Sequence, residues 1–165
     1  MPRHPQRFDA VAQLAAQAGW RVSRRSTWGA AGPDAQALAA DIWLGDSLGE
    51  MPLYYGLADA ALLGGSFEPL GGQNLIEAAA CACPVVMGPH TFNFARACEH
   101  ALDEGAALRA QDLPQAMGQA VALVRDPPRR TQMARAASQF AQAHQGAAER
   151  TAQALLALIS APADR

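Results

Sequence analysis

The sequence AALLGGSFEPLGGQNLIEAAAC, residues 60–81, decides the fold of this chain. It opens with four apolar residues, continues through a glycine-rich stretch that ends at Gln73, and closes with a mostly apolar segment that begins at Asn74. Short apolar runs bounded by glycine indicate strands, and asparagine is a common first residue of a helix. The stretch therefore predicts a strand at 60–63, a glycine-rich loop at 64–73 and a helix at 74–81.

The same alternation of strands and helices extends in both directions from this stretch. Hydrophobic periodicity predicts helices over 8–18, 47–55 and 94–104, with Ser47 as the N-cap of the second, and strands over 20–26, 41–44, 84–87 and 106–109. Three further helices are predicted after Asp112, over 113–125, 128–143 and 147–159. We expect residues 1–165 to form a single domain.

Alternating short strands and helices predict a doubly wound α/β fold, with a Rossmann-like parallel sheet covered by helices on both faces. Ligands of such sheets bind outside the carboxyl ends of the strands. The loops after Leu44, Leu63 and Met87 all lie at that edge. These three loops are therefore where a site is predicted.

Composition removes several classes of function. The chain has 165 residues and a net charge of -2, so it lacks the basic surface that binding to nucleic acid requires. All 13 positively charged residues are arginine, which excludes Schiff-base chemistry and a P-loop lysine. Metal-binding motifs and an early Gly-x-Gly-x-x-Gly are absent from the sequence, so we expect neither a metal nor a dinucleotide cofactor.

Three cysteines and the lack of long apolar runs bear on the compartment. The cysteines, at 81, 83 and 98, are odd in number and unpaired in spacing, so reduced and buried thiols are expected. Neither a run long enough to cross a bilayer nor a signal peptide is present in the sequence. We expect the chain as given to be soluble and intracellular.

The glycine-rich loop before Asn74 has the pattern of an anion-binding site. Glycines let the backbone approach a ligand, and free N–H groups at a helix start stabilise a phosphate without metal. The alternative is that Asn74 and Glu77 form only a capping box, since they have its spacing.

Three other segments have both a structural and a binding interpretation. Ser47 and Glu50 also have capping-box spacing, while the amides of Leu48 and Gly49 and the Glu50 carboxylate suit a base or a sugar hydroxyl. Pro2-Arg3-His4-Pro5 is either a free terminal arm or an arginine loop for an anion. His90, after a predicted strand, either binds a ligand or satisfies local backbone groups.

The first residues lack the strand with which a Rossmann-like sheet normally opens. We therefore expect a fragment of a longer protein whose sheet is short of an edge or central strand. An unpaired neighbouring strand can recruit another chain by edge pairing, so self-association is a further expectation.

Five motifs in order resemble the bacterial Kdo (3-deoxy-manno-octulosonic acid) transferases. The similarity extends from Pro2 to about Leu158. Its motifs in this sequence are PRHPQRF at 2–8, LGDSLGE at 44–50, GGS at 64–66, GGQNLIE at 71–77 and GPHTFNF at 88–94. Leu48 stands where the family often has methionine, which matters little if the backbone makes the contact.

This resemblance implies the donor-side, C-terminal domain of an inverting GT-B glycosyltransferase. It implies that residues 1–165 are a single Rossmann-like nucleotide-sugar-binding domain, whose C-terminal helix in 145–165 packs on the missing domain. It implies transfer of Kdo from CMP-Kdo to a lipid A precursor in lipopolysaccharide biosynthesis, at the cytoplasmic side of the bacterial inner membrane. The family's catalytic base is a carboxylate of the other domain, so no catalytic residue is assigned and the chain alone is expected to be inactive. The residues expected to bind the donor are Pro2, Arg3, Leu48, Gly49, Glu50, Gly65, Ser66, Asn74, Leu75, Ile76, Glu77 and His90.

Two alternatives remain open from the sequence. Related GT-B donor domains bind UDP-sugars with similar glycine-rich loops and a glutamate on a helix for the ribose. A free-standing nucleotide-binding module, complete as written, is the other alternative. Base preference separates the first from CMP-Kdo, and coding sequence upstream of Pro2 separates the second.

Overall fold

The structure is a computed structural model that describes residues 1–2, 4–144, 146, 151–153, 155–156 and 159. The predicted site residue Arg3 and most of the predicted helix at 147–159 lie outside these residues. By contacts between Cα atoms the chain divides into two compact units, Met1–Tyr54 and Tyr55–Arg165. Each unit is described by itself below.

The first unit contains a small parallel sheet. Strand β1 (Val22–Arg24) pairs with β2 (Ile42–Leu44), with Ser23 opposite Trp43. Helix α1 (Phe8–Gln17) precedes β1, the short helix α2 (Ala35–Leu38) connects the strands, and α3 (Met51–Leu57) begins in this unit. The connection after β1 opens with a 3-10 turn, Arg25–Thr27.

Three sequence predictions in this unit need correction. The predicted strand at 20–26 is shorter because the chain turns at Arg25. Helix α2 lies in a region without a predicted element and is capped by Asp34, whose carboxylate accepts from the Ala37 amide at 2.8 Å. The helix predicted at 47–55 begins at Met51, since Gly49 adopts a left-handed conformation with φ +82° that interrupts it, so Ser47 is not its N-cap.

The second unit contains a three-stranded parallel sheet in the order β3-β4-β5. Its strands are Ala61–Leu63, Val85–Met87 and Ala107–Arg109, each within the predicted range. Helix α4 (Ile76–Ala80) connects β3 to β4, and α5 (Ala95–Asp103) connects β4 to β5. Helices α6 (Leu113–Arg125) and α7 (Pro127–His144) follow.

The central strand β4 explains the two-sided core of this unit. Val85 and Met87 belong to one buried cluster, which includes Leu75 of the loop before α4 and Phe140 of α7. Val86 belongs to a second cluster with residues of α6 and α7. Because neighbouring residues of a strand point to opposite faces, β4 is covered on both sides, as expected for a doubly wound sheet. The predicted α/β class and the parallel pairing are confirmed.

Candidate functional site

In the second unit, the loops after β3 and β4 are joined through Ser66. Its side chain is fully buried, and its hydroxyl donates to the carbonyl of Leu63 at 2.5 Å and accepts from the amide of Gly88 at 2.7 Å. The carbonyl of Ser66 accepts from the amide of His90 at 3.0 Å. Predicted site residues Ser66 and His90 are thus brought together, and the hydroxyl of Ser66 supports the loops from inside.

Two glycines allow these loops to lie close to each other. Gly71 and Gly72 have φ values of +86° and +79°, a region that favours glycine. A Cβ on Gly72 would lie 3.2 Å from the carbonyl oxygen of His90, and the amide of Asn93 donates to the carbonyl of Gly71 at 3.1 Å. The glycine-rich loop therefore packs on the His90 loop, with Gly65 partly exposed on its surface.

The residues at the start of α4 differ in what they offer a ligand. The Asn74 carboxamide oxygen accepts a hydrogen bond from the amide of Ile76, two residues further along the chain, at 3.0 Å. A side-chain bond of this kind forms an Asx turn. The helix itself begins at Ile76, so the capping-box interpretation of Asn74 and Glu77 is wrong. Leu75 is 1% exposed and belongs to the core, whereas Glu77 is exposed in the first turn. Glu77 is the carboxylate available to a ligand, and Leu75 has only its backbone to offer.

Arg109 is a residue near these loops that sequence reasoning did not include. It is the last residue of β5, and its guanidinium donates to the Thr91 hydroxyl at 3.1 Å and pairs with Glu99 at 2.9 Å. Its Nε is buried without a hydrogen-bond partner among the described residues. The available signal was its position at the carboxyl end of a parallel strand, where charged residues are candidates for ligand binding.

In the first unit, the loop after β2 is fixed by the buried carboxylate of Asp46. It accepts from Arg24 Nε at 2.6 Å and from the amide and hydroxyl of Ser26 at 2.7 and 2.6 Å. The side chain of Asp46 is 1% exposed. Burial alone would raise the pKa of Asp46, but the hydrogen bonds from Ser26 and Arg24 together lower it. Asp46 therefore attaches the loop after β2 to the last residue of β1 and to Ser26.

Glu50 closes the same loop through its own set of contacts. Its carboxylate accepts from the Ser47 hydroxyl, from the Tyr54 hydroxyl at 3.1 Å and from Arg25 Nη2 at 2.7 Å. Between Ser47 and Glu50, the residues Leu48 and Gly49 are exposed. Pro2, the remaining described site residue of this unit, is partly exposed near the N-terminus.

We expect the Asp46→Asn variant to lose about 1–2 kcal/mol in the free energy of unfolding at neutral pH, because an amide accepts charged hydrogen bonds less well. The native pKa of Asp46 is lowered, so its contribution is present above the unfolded pKa of about 4 and is lost as the pH falls through the native pKa. Denaturant unfolding is measured between pH 7 and pH 2.5. The free energy of unfolding should fall less steeply with decreasing pH in the variant than in the wild type. Asp103→Asn, at an exposed position, is the control, and equal slopes in all three proteins would contradict the role of Asp46.

Two of the three cysteines match the expectation of buried, reduced thiols. Cys83 and Cys98 are free and buried, and burial raises the pKa of Cys83 to about 11. Cys81 is only partly buried, so the expectation of a buried thiol is wrong at this position. Across the part of the chain that the structure describes, none of the helices combines the length and apolar character needed to span a bilayer. In the same residues no three His, Cys, Asp or Glu side chains are grouped as metal ligands.

Comparison with known proteins places this arrangement in a family. The model of the family described as "Glycosyl transferase-like" matches residues 72–157. The crystal structure of the C-terminal CMP-Kdo binding domain of WaaA from Acinetobacter baumannii superposes with a TM-score of 0.77 at 34% identity, covering 86% of this chain and 72% of that one. The chain belongs to the Kdo transferase family of glycosyltransferases. The family resemblance inferred from the five sequence motifs is thereby confirmed.

Full-length members of the Kdo transferase family are similar over most of this chain. A 3-deoxy-D-manno-octulosonic acid transferase from Bordetella pertussis is 51% identical over 155 residues, which is 94% of this chain and 35% of that protein. The enzyme of that name from Haemophilus influenzae is 34% identical over 151 residues. The chain thus spans about a third of the length of these relatives.

Proposed function

We propose that this chain binds CMP-Kdo as the donor-binding domain of a two-domain, inverting Kdo transferase. The observation that carries the proposal is the similarity to the CMP-Kdo binding domain of the Acinetobacter baumannii protein, at 34% identity over 86% of this chain. The geometry of the second unit supports it, because a glycine-rich loop follows the carboxyl end of β3, packs on the loop after β4 and leads to an exposed glutamate in the first turn of α4.

Within this proposal, the groups of the second unit have distinct roles. Glu77 accepts the ribose hydroxyls of CMP, since a carboxylate accepts two hydrogen bonds. The backbone of the glycine-rich loop, including Gly65, approaches the phosphate, and Asn74 and Ile76 contact it beside this loop. Helix α4 has five residues, so its dipole is small and the loop N–H groups carry more of the phosphate binding than the sequence suggested. Ser66, Leu75 and His90 hold these groups in place.

The donor contacts proposed for the first unit are Pro2, Arg3 and the loop from Leu48 to Glu50. In the reaction, an acceptor hydroxyl loses its proton to a base, attacks the anomeric carbon of Kdo, and CMP leaves with the bonding electrons. The proposed base belongs to the other domain of the full-length enzyme. This chain orients the donor and stabilises the charge on the departing phosphate, for which the Arg3 guanidinium is suited.

The proposal extends to the surroundings of the full-length enzyme. Its acceptor is a lipid A precursor, so the reaction takes place at the cytoplasmic side of the bacterial inner membrane. Residues 1–165 form one domain of the enzyme, and residues 145–165 pack on the other domain. By itself the chain transfers no Kdo, and it self-associates through an unpaired strand edge.

Titration of CMP and UMP into the isotope-labelled chain, followed by amide chemical shifts, tests the donor assignment. We expect CMP to bind more tightly than UMP and the Glu77→Ala variant to weaken CMP binding about tenfold, because a hydrogen bond to a charged group contributes about 1.5–3 kcal/mol. The matched control is Glu68→Ala, which removes an exposed carboxylate from the glycine-rich stretch and should leave the dissociation constant unchanged.

Three outcomes would contradict parts of this proposal. A preference for UMP would assign the chain to donors of the UDP-sugar class. Equal binding by wild type and Glu77→Ala would remove Glu77 from the site. Transfer of Kdo from CMP-Kdo by the isolated chain would show that the base lies within it.

A further inference from the structure

A cluster of four side chains holds the loop after β2, and three of its members are outside the predicted donor contacts. We call Arg25, Ser47, Glu50 and Tyr54 the Glu50 cluster. Glu50 Oε1 accepts from Arg25, and Glu50 Oε2 accepts from both Ser47 and Tyr54. The hydroxyls of Ser47 and Tyr54 also lie 3.1 Å apart. Both carboxylate oxygens are therefore engaged within the first unit.

The cluster keeps Glu50 ionised. The hydrogen bond from Ser47 lowers the pKa of Glu50 most, and Tyr54 and Arg25 lower it further against the opposing effect of burial. The side chains of Arg25 and Glu50 are 28% and 27% exposed, so their ion pair is partly shielded from water. Three hydrogen bonds use most of the roughly four acceptor sites of an ionised carboxylate, so Glu50 has little capacity left for a ligand hydroxyl or an amino group.

Each partner of Glu50 is itself fixed by packing. The Arg25 guanidinium lies over the Trp28 ring at 5.4 Å, and Trp28 packs edge-on against Trp43 at 4.8 Å. The Tyr54 ring lies against Gly45, where an added Cβ would come within 2.8 Å of Tyr54 Cζ. Arg25 and Tyr54 are therefore held in place before any ligand binds. Through their hydrogen bonds they fix the position of the Glu50 carboxylate.

The loop presents Leu48 and Gly49 outward. Leu48 is 69% exposed, and Gly49 is exposed with a φ of +82°. The N–H and C=O groups of these two residues keep a fixed orientation only if Ser47 and Glu50, on either side of them, are held. Fixed donors and acceptors of this kind distinguish bases, because cytosine and uracil differ in their donor and acceptor patterns.

We propose that Arg25 and Tyr54 are positioning residues that set the base preference of this chain through the Leu48–Gly49 backbone. Glu50 then holds the loop together and contributes to base recognition through the conformation that it gives the loop. This inference rests on the proposed CMP binding. It assigns the specificity for the base to contacts made inside the first unit, at side chains that need not touch the nucleotide.

The Tyr54→Phe variant tests this inference because it removes one hydroxyl and keeps the ring against Gly45. Dissociation constants are measured for CMP, UMP and ribose 5-phosphate, which has no base. We expect the CMP dissociation constant to rise about tenfold, the ratio of UMP to CMP constants to fall, and ribose 5-phosphate binding to stay unchanged. The amide signals of Leu48 and Gly49 should shift or broaden in the free variant.

Two further variants separate positioning from folding. Tyr55→Phe removes the neighbouring hydroxyl of α3 and should leave the base preference intact. Arg25→Lys keeps the charge and should retain more of the preference than Arg25→Gln, since a lysine can still pair with Glu50. Equal weakening of all three ligands by Tyr54→Phe would overturn the inference, because it would indicate a general loss of structure.

The outcomes also separate this inference from the proposed function. Should wild type bind ribose 5-phosphate as tightly as CMP, the assignment of CMP and this inference are both overturned. Should wild type prefer CMP and Tyr54→Phe keep that preference, only the inference is overturned.

Discussion

Gly88→Ala is expected to destabilise the chain by about 3 kcal/mol or more and to abolish CMP binding. A Cβ at this position would lie 2.8 Å from the carbonyl carbon of Ser66 and closer still to its oxygen, and it would also meet the Phe67 ring at 2.8 Å. Backbone atoms of a buried loop cannot move aside as a flexible side chain can, so the overlap must separate the loops after β3 and β4. The same movement breaks the bond from the Gly88 amide to Ser66.

Thermal and denaturant unfolding measure the loss of stability, and CMP titration measures the loss of binding. Gly118→Ala is the matched control, since Gly118 lies inside α6 and an added Cβ there meets nothing within 4 Å. In a helix interior this change should stabilise by about 0.5–1 kcal/mol. If Gly88→Ala were as stable as wild type, the close approach of the two loops would be refuted.

The parts of the fold that the sequence predicted well are those set by hydrophobic pattern. Strands β3, β4 and β5 lie inside their predicted ranges, and α6 has its predicted bounds, Leu113–Arg125. In β4 three successive apolar residues are buried on both faces, which is the pattern that a continuous apolar run predicts for a parallel strand. These features follow from the local sequence alone.

Where the prediction failed, the backbone follows contacts that no local pattern contains. The helix expected from Ser47 begins at Met51 because Gly49 is left-handed, and Ser47 donates to Glu50 instead of capping a helix. Helix α4 begins two residues later than expected, because Asn74 accepts from Ile76 in a turn that precedes it. In both cases the capping-box spacing was present, but the side chain found a different partner.

The candidate site likewise has features that the sequence predicted and features that depend on tertiary contacts. The strand-end rule pointed to the loops after Leu44, Leu63 and Met87, and the structure has hydrogen-bonded loops at these places. That Ser66 faces inward, and that Arg109 joins the Thr91 loop, depends on contacts between residues 18 to 22 apart in sequence. Such contacts require the tertiary structure.

Phe140→Ala is expected to cost about 3–5 kcal/mol, the usual cost of truncating a buried phenylalanine. Phe140 lies on α7, is 1% exposed, and belongs to the core cluster that contains Leu75, Ala78 and Ala79. Helix α4 has five residues, too few to be stable without tertiary packing. Its position, and with it that of Glu77, therefore depends on the packing that α7 provides.

This dependence predicts a linked loss of stability and of ligand binding. Near its unfolding midpoint the Phe140→Ala variant should bind CMP more weakly than wild type, and saturating CMP should raise its midpoint by mass action. Phe140→Leu fills most of the cavity and should cost about 1–2 kcal/mol. Amide hydrogen exchange provides the decisive measurement, since loosened packing exposes the amides of α4 in the alanine variant at temperatures where those of β4 stay protected. Equal protection of α4 in both variants and in wild type would mean that α4 is held by other contacts than those with α7.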